Sequence, residues 1–229
     1  MIITRSEDHL QVNFDGNIIT SQKEIEILGV TYDSKLSFKK HLEITARKAS
    51  TKITSLRRIA WYLDRKGKEY LYKSQIRSVM EYSFLSWGGA ARTNLSLLDK
   101  VQRRATRIIE EGTTGHPRTN LDTLQHRRDV GGLTTMFKMN HQHTPHLQPL
   151  RQQQRQPVRI TREVERSPAA LLEPRANTSH YQRQFIVRYC RLWNAFMCAD
   201  NDHVNNTSHT FKCKVNRWLK NNVVRDSNL

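Results

Sequence analysis

Leu42, Ala46, Ala49, Ile53, Leu56, Ala60 and Leu63 recur at intervals of four, three, four, three, four and three residues. Nothing else in the chain restricts the fold as strongly. Such spacing returns each side chain to one face of an α-helix, so it predicts a helix of about 25 residues with an unbroken apolar seam. Ser37 is placed to cap its start, because a serine oxygen there accepts from the first free backbone N–H groups. Among and after the seam positions lie Lys39, Lys40, Arg47, Lys48, Lys52, Arg57, Arg58 and Arg65, opposed only by Glu43 and Asp64. One side of this helix must be buried, and the other is strongly basic.

Ahead of the helix, residues 1 to 32 read as strands. Val12, Phe14, Ile18 and Ile19 flank Asp15-Gly16, a two-residue hairpin signal, since the tightest hairpin turns need positive φ at both centre positions. From Ile25 to Tyr32 runs a further apolar stretch. Glu24 and Glu26 alternate there with Ile25 and Ile27, as in a half-buried strand. Together these predict a small antiparallel meander that needs a partner surface to be stable. Asp33 reads as a turn or cap residue before Ser34 and Ser37.

Behind the first helix, Tyr72, Ile76, Val79, Ser83 and Trp87 share a stripe in a second helix from Lys68 to Trp87, ended by Gly88-Gly89. A third has Asn94 as its cap and Leu98, Val101, Ala105 and Ile108 as its seam, and Gly112 closes it. A fourth, Leu121 to Asn140, is weakened by Gly131-Gly132. A helix from His180 to Met197 follows, and then a short one with Phe211, Val215, Trp218 and Leu219. The expected fold is α+β and mostly α. A β-meander occupies 1–36, a helical bundle 37–140, a Gln/Arg/Pro-rich linker 141–178, and a C-terminal helical segment 179–229.

Charge narrows the function. The chain has 38 Lys and Arg against 21 Asp and Glu, a formal net charge of +17. An excess of that size favours a polyanionic partner, above all nucleic acid. A membrane is the weaker reading, because no stretch approaches the ~20 apolar residues of a spanning helix. The start Met1-Ile2-Ile3-Thr4-Arg5 turns polar too early for a secretory signal. Cys190, Cys198 and Cys213 are too few and odd in number for a disulfide framework. The expected location is therefore the nucleus or cytoplasm, and the sequons at Asn94, Asn177, Asn205 and Asn206 carry no meaning there.

Little supports catalysis. Polymerases hold two metal ions with paired carboxylates, and no aromatic-x-Asp-Asp turn occurs. Asp200 and Asp202 sit in a polar loop. Cys198, His203, His209 and Cys213 lack the close Cys pair that usually opens a zinc site, and the cysteines read instead as buried free thiols. His141, His143 and His146 read as polar linker residues. No cofactor is expected. Arg57-Arg58-Ile59-Ala60-Trp61-Tyr62 through Arg65-Lys66 joins cations to two aromatics. The cations can neutralise phosphates, while Trp61 and Tyr62 can either stack on bases or pack in the core. Arg103, Arg104 and Arg107, and Arg127-Arg128, form secondary basic patches.

Several blocks stand in a recognisable order: Leu28-Gly29-Val30 with Asp33, Leu36-Ser37 and His41; Leu71-Tyr72-Lys73; Val101-Gln102-Arg103-Arg104-Ala105; Arg191-Leu192-Trp193-Asn194 with Phe211-Lys212. In this order they resemble the region that follows the palm in reverse transcriptases of jockey-like non-LTR retrotransposons. The resemblance implies a residual end of a palm, a thumb and a helical extension that clasp a template–primer duplex, without the catalytic core. It places Lys39, Lys40, Arg47, Lys48, Arg57 and Arg58 near nucleic acid. With Arg65, Arg103 and Arg104 these form the candidate binding set, for duplex or hybrid without sequence preference. Gly131-Gly132 and the Gln-rich linker depart from the family pattern and suggest a decayed or captured copy. The alternative is an interaction protein that docks apolar helices on another chain, such as an intact polymerase.

Overall fold

The computed structural model describes residues 1, 3, 11–111, 121–141, 145–155, 170–199 and 207–222. Gly112, His143, Asp200, Asp202, His203, Asn205 and Asn206 lie outside the described residues, as does much of 141–178. The chain divides into two compact units at Leu124/Gln125.

The first unit opens with two antiparallel hairpins. Strands β1 (Gln11–Phe14) and β2 (Asn17–Thr20) pair with Phe14 opposite Asn17. Asp15 and Gly16 between them both take positive φ, as the expected turn requires. Strands β3 (Glu24–Ile27) and β4 (Val30–Asp33) form a second, separate sheet. The apolar stretch from Ile25 to Tyr32 therefore folds back on itself at Leu28-Gly29, and the expected meander is two sheets. The alternation read as half-buried is also different, since Ile25 and Ile27 are exposed and Val30 is buried instead.

The second hairpin is tied to the helices. Thr31 donates its N–H to His41 Nδ1 at 3.3 Å, and the Tyr82 hydroxyl donates to Leu28 O at 3.0 Å. The corner from β4 into helix α1 (Lys39–Ile59) is built by Asp33. Its carboxylate accepts from the backbone N–H groups of Lys35, Ser37 and Phe38 and from the Ser37 hydroxyl. Phe38, in a left-handed conformation, takes the cap position that Ser37 was expected to fill. The Ser37 hydroxyl still accepts from the N–H of Lys39, the first residue of α1, at 3.4 Å, and Asp33 holds the turn that precedes the helix.

The seam of α1 is buried as the periodicity predicts: Leu42, Ala49, Ile53, Leu56 and Ala60 face the core. α1 packs on α5 (Arg92–Glu110), whose Leu95, Leu98, Val101, Ala105, Ile108 and Ile109 are buried. α5 starts at Arg92, and the Asn94 amide reaches Ser37 O at 3.4 Å instead of capping it. Between them the expected single helix is broken into α2 (Arg65–Leu71), a π-helical stretch (Tyr72–Arg77), α3 (Ser78–Glu81) and α4 (Phe84–Trp87). The π stretch underwinds the helix, so Tyr72, Ile76 and Met80, four apart, are the buried set, and Ser83 is exposed at positive φ. Lys68, a buried cation, donates to Glu111 O at the end of α5, where orphan helix carbonyls need a donor.

The second unit contains α6 (Leu124–His141), a 3-10 stretch (Pro145–Leu150), α7 (Ser179–Gln182), α8 (Phe185–Ala199) and α9 (Ser208–Asn222). Its core gathers Leu133, Met136, Phe137, Trp193, Phe196, Phe211 and Val215. Gly131-Gly132 does not interrupt α6. Gly132 is where the Tyr189 ring lies on the helix, and the Tyr189 hydroxyl donates to Arg128 O at 3.0 Å. This close approach gives the glycine a packing role where the sequence suggested decay. Arg188 binds Asp129 through two nitrogens, at 2.9 to 3.2 Å. Part of the segment expected as linker is held too. Leu171 is buried, and its N–H and C=O both bond the Asn194 side chain, at 2.8 and 3.0 Å. The block Arg191-Leu192-Trp193-Asn194 is thus architectural: Trp193 fills the core, Asn194 pins residue 171, and Arg191 pairs with Glu173.

Candidate nucleic-acid interface

The cations of α1 fall where the seam leaves them. At about 100° per residue, Lys40, Arg47 and Arg58 lie within about 20° of one another, opposite Leu42 and Ile53. From Lys40 to Arg58 this stripe runs about 27 Å at 1.5 Å per residue. Lys39 and Arg57 flank it on one side and Lys48 on the other, all exposed. Lys40 pairs with Glu24 of β3. Lys39, Arg47, Lys48, Arg57 and Arg58 make no ion pair among the described residues. Lys39 and Lys40 occupy the first turn of α1, which holds no acidic residue. There they oppose the helix dipole, at a typical cost of about 0.3–1 kcal/mol each. Arg57 and Arg58, in the last turn, interact favourably with the same dipole. Arg65, at the start of α2, is half-buried and engaged with its surroundings.

On α5 the pattern is tighter. Lys100, Arg103, Arg104 and Arg107 stand at i, i+3, i+4 and i+7, all exposed and without an ion pair among the described residues. This is the spacing of a helical seam, written in cations on the side away from Val101 and Ala105. Each like-charged neighbour at i+3 or i+4 destabilises a helix by about 0.2–0.5 kcal/mol, so the four such pairs cost about 1–2 kcal/mol. Lys100 was absent from the sequence-derived set; the periodicity rule applied to charges as well as apolar residues finds it. Gln102 turns inward and donates to Asp122 O at 3.0 Å.

Arg127-Arg128 is not a second patch. Arg128 is 3% exposed and its guanidinium donates to Gln125 Oε1. Trp61 and Tyr62, the two aromatics whose place the sequence left open, are exposed, with their rings in tilted contact. Of the cysteines, Cys190 alone is buried, and burial, with Glu173 nearby, pushes its thiol up to about 11. Cys198 and Cys213 are exposed, against the expectation of buried thiols. His209 lies 3.7 Å from Cys213, one turn away on α9. Among the described residues no group of three or more His, Cys, Asp or Glu is placed to hold a metal ion. None of their helices is long and apolar enough to cross a membrane. His141 stacks on Phe137, ring centroids 4.8 Å apart, and His146 is exposed.

An alignment 126 residues long, which covers 50% of this chain, is 30% identical to a probable RNA-directed DNA polymerase from transposon BS of Drosophila melanogaster. The chain spans 14% of that protein's length. The matched half of the chain is related in sequence to that transposon polymerase. No protein-family model matches the chain, and no solved structure matches it.

Proposed function

We propose that this chain is a non-catalytic nucleic-acid-binding module related to the thumb-like, post-palm part of a retrotransposon RNA-directed DNA polymerase. It holds duplex or hybrid through the cations of α1 and α5, with little sequence preference. The observation that carries this reading is the α5 stripe. Four cations at helical spacing, without an ion pair among the described residues, repel one another and contribute nothing to the core, and an external polyanion relieves that repulsion. The net charge of +17 and the polymerase relative agree with it.

The test is the salt dependence of binding to a duplex. With about six phosphates engaged, the log–log slope is near −5, from ~0.9 counterions released per phosphate. Replacing Arg57 and Arg58 with Ala, or Arg103 and Arg104 with Ala, lowers that slope by about one to two units and weakens all sequences alike. Binding indifferent to salt sinks the reading.

A second reading has one observation of its own. Phe14 and Ile18 on the first hairpin are 70% and 69% exposed. An apolar hairpin left in water favours docking on another chain, and an intact polymerase is the partner this reading names. Such docking is insensitive to salt and is abolished by Phe14→Ser with Ile18→Ser.

A further inference from the structure

α1 ends at Ile59, and a 3-10 turn (Ala60–Tyr62) carries the chain onward. Ala60 and Leu63 continue the seam into the core, so the two residues between them are driven out. Both are large aromatics: Trp61 is 75% exposed and Tyr62 72%. Their rings lie against each other, tilted, with centroids 3.8 Å apart and planes inclined by 33°. The Trp61 indole N–H donates to Arg58 O at 3.0 Å, which fixes the ring against the end of the helix. Aromatic rings of this size normally supply core or interface area, and here neither serves the core. Exposed cations bracket the pair in sequence, Arg57 and Arg58 before it and Lys66 after it.

We propose that Trp61 and Tyr62 form a stacking platform for an unpaired nucleobase, at an end or overhang of a nucleic acid whose backbone the neighbouring cations hold. The proposal rests on the nucleic-acid reading above and adds to it a preference for substrates with single-stranded ends. The chemistry fits. Every base offers a flat π face, stacking on an aromatic needs no sequence, and the flanking guanidinium groups neutralise the adjoining phosphates. A pair already in ring contact and anchored through Arg58 O needs little ordering to receive a base. A protein partner would use the same apolar area, but the cations on both sides of the pair favour a polyanion.

The experiment compares the full chain with Trp61→Ala/Tyr62→Ala and with Trp61→Phe. The probes are a blunt DNA duplex and the same duplex with a six-nucleotide thymidine overhang, at one fixed salt concentration. Wild type is expected to bind the overhang substrate more tightly. The double variant loses at least about fivefold on that substrate, the lower end of what a base–aromatic stack contributes. It stays within about twofold on the blunt duplex. Trp61→Phe retains most of the preference, and thermal unfolding is unchanged in both variants because the rings lie outside the core. Quenching of indole fluorescence on binding the overhang is expected to be lost in Trp61→Phe, since Trp87 and Trp193 are buried and Trp218 is half-buried against Phe196 in the second unit. Equal affinity of wild type for the two substrates overturns the platform and leaves the duplex reading standing. An equal loss on both substrates in the double variant overturns it as well. Absence of any salt-dependent binding removes both. Self-association that disappears in the double variant, with nucleic-acid binding intact, assigns the pair to protein docking and also overturns the proposal.

Discussion

A Cβ built on Gly132 would lie 2.2 Å from Cζ of Tyr189. Helix propensity alone would favour alanine at such a position by roughly 1 kcal/mol. The ring cannot simply step aside, because its hydroxyl is bonded to Arg128 O and the residue is buried. Gly132→Ala is therefore expected to destabilise the second unit by about 1–3 kcal/mol, the usual cost of overpacking, read by urea unfolding. A stabilised variant would show that the contact has slack. Two titratable groups at the strand-to-helix corner give a pH dependence. Burial lowers the His41 pKa from its ordinary 6.5, Lys48 lowers it further, and Glu26 acts weakly the other way. For Asp33 burial acts upward, but the N–H donors of Ser37 and Phe38 outweigh it and hold the carboxyl below 3.8. In both cases the unfolded chain binds more protons than the folded one between the two pKa values. Stability is then fully present above the unfolded value and falls as pH drops through the folded one. Denaturation followed against pH should show one loss beginning below about 6.5, absent in His41→Gln, and another below about 3.8, absent in Asp33→Asn.

At the scale of elements, α1 and the first hairpin are opposite cases. Leu56 lies in a seam that meets α5 along the helix, so Leu56→Ala is expected to cost roughly 2–5 kcal/mol by removing a packed side chain and leaving a cavity. Phe14, on β1, is mostly in water. Phe14→Ser should change the stability of the isolated chain by less than about 0.5 kcal/mol, as surface substitutions do. Denaturant unfolding of the two variants decides the matter, and a large loss at Phe14 would mean the hairpin packs on its own chain. The broken helix from α2 to α4 has a local cause at each joint. The π stretch sets Tyr72, Ile76 and Met80 in line. At Ser83 the chain turns through positive φ, which frees Tyr82 O to accept the Trp87 indole N–H at 2.9 Å.

For the whole molecule, two cores are lined by different residues, one running from Val30 of β4 through α5 to Leu124 and one from Val130 to Leu219. Among the described residues no group of three or more His, Cys, Asp or Glu is placed to hold a metal ion. Asp33 is spent on backbone N–H groups, and Asp129 on Arg188 and Gln125. The full chain with a primed template, Mg2+ and nucleotides is accordingly expected to incorporate nothing above a buffer control. Incorporation that survives repeated purification would refute the non-catalytic reading.

What the sequence determined by itself is whatever depends on neighbours a few residues apart. The α1 seam is legible because helical periodicity is a property of seven positions in one segment. The Asp15-Gly16 turn is legible because positive φ is a property of the residues that adopt it. The candidate cations were legible for the same reason, since exposure follows from not being on the seam. The tertiary structure decided what depends on distant partners. Leu28 takes positive φ, unusual for a residue with so large a side chain, where the Tyr82 hydroxyl 54 positions away holds its carbonyl. Leu171 is fixed in a polar, Gln-rich stretch because Asn194, 23 residues on, satisfies its backbone. Gly132 looks like a helix breaker until Tyr189 is laid across it. Arg128 looks like a phosphate ligand until its guanidinium is found inside the second unit. Trp61 and Tyr62 could not be assigned from spacing alone, because the choice between core and surface was made by Ala60 and Leu63. Small and medium apolar side chains fill the space on the α1 seam, and the larger rings were left outside.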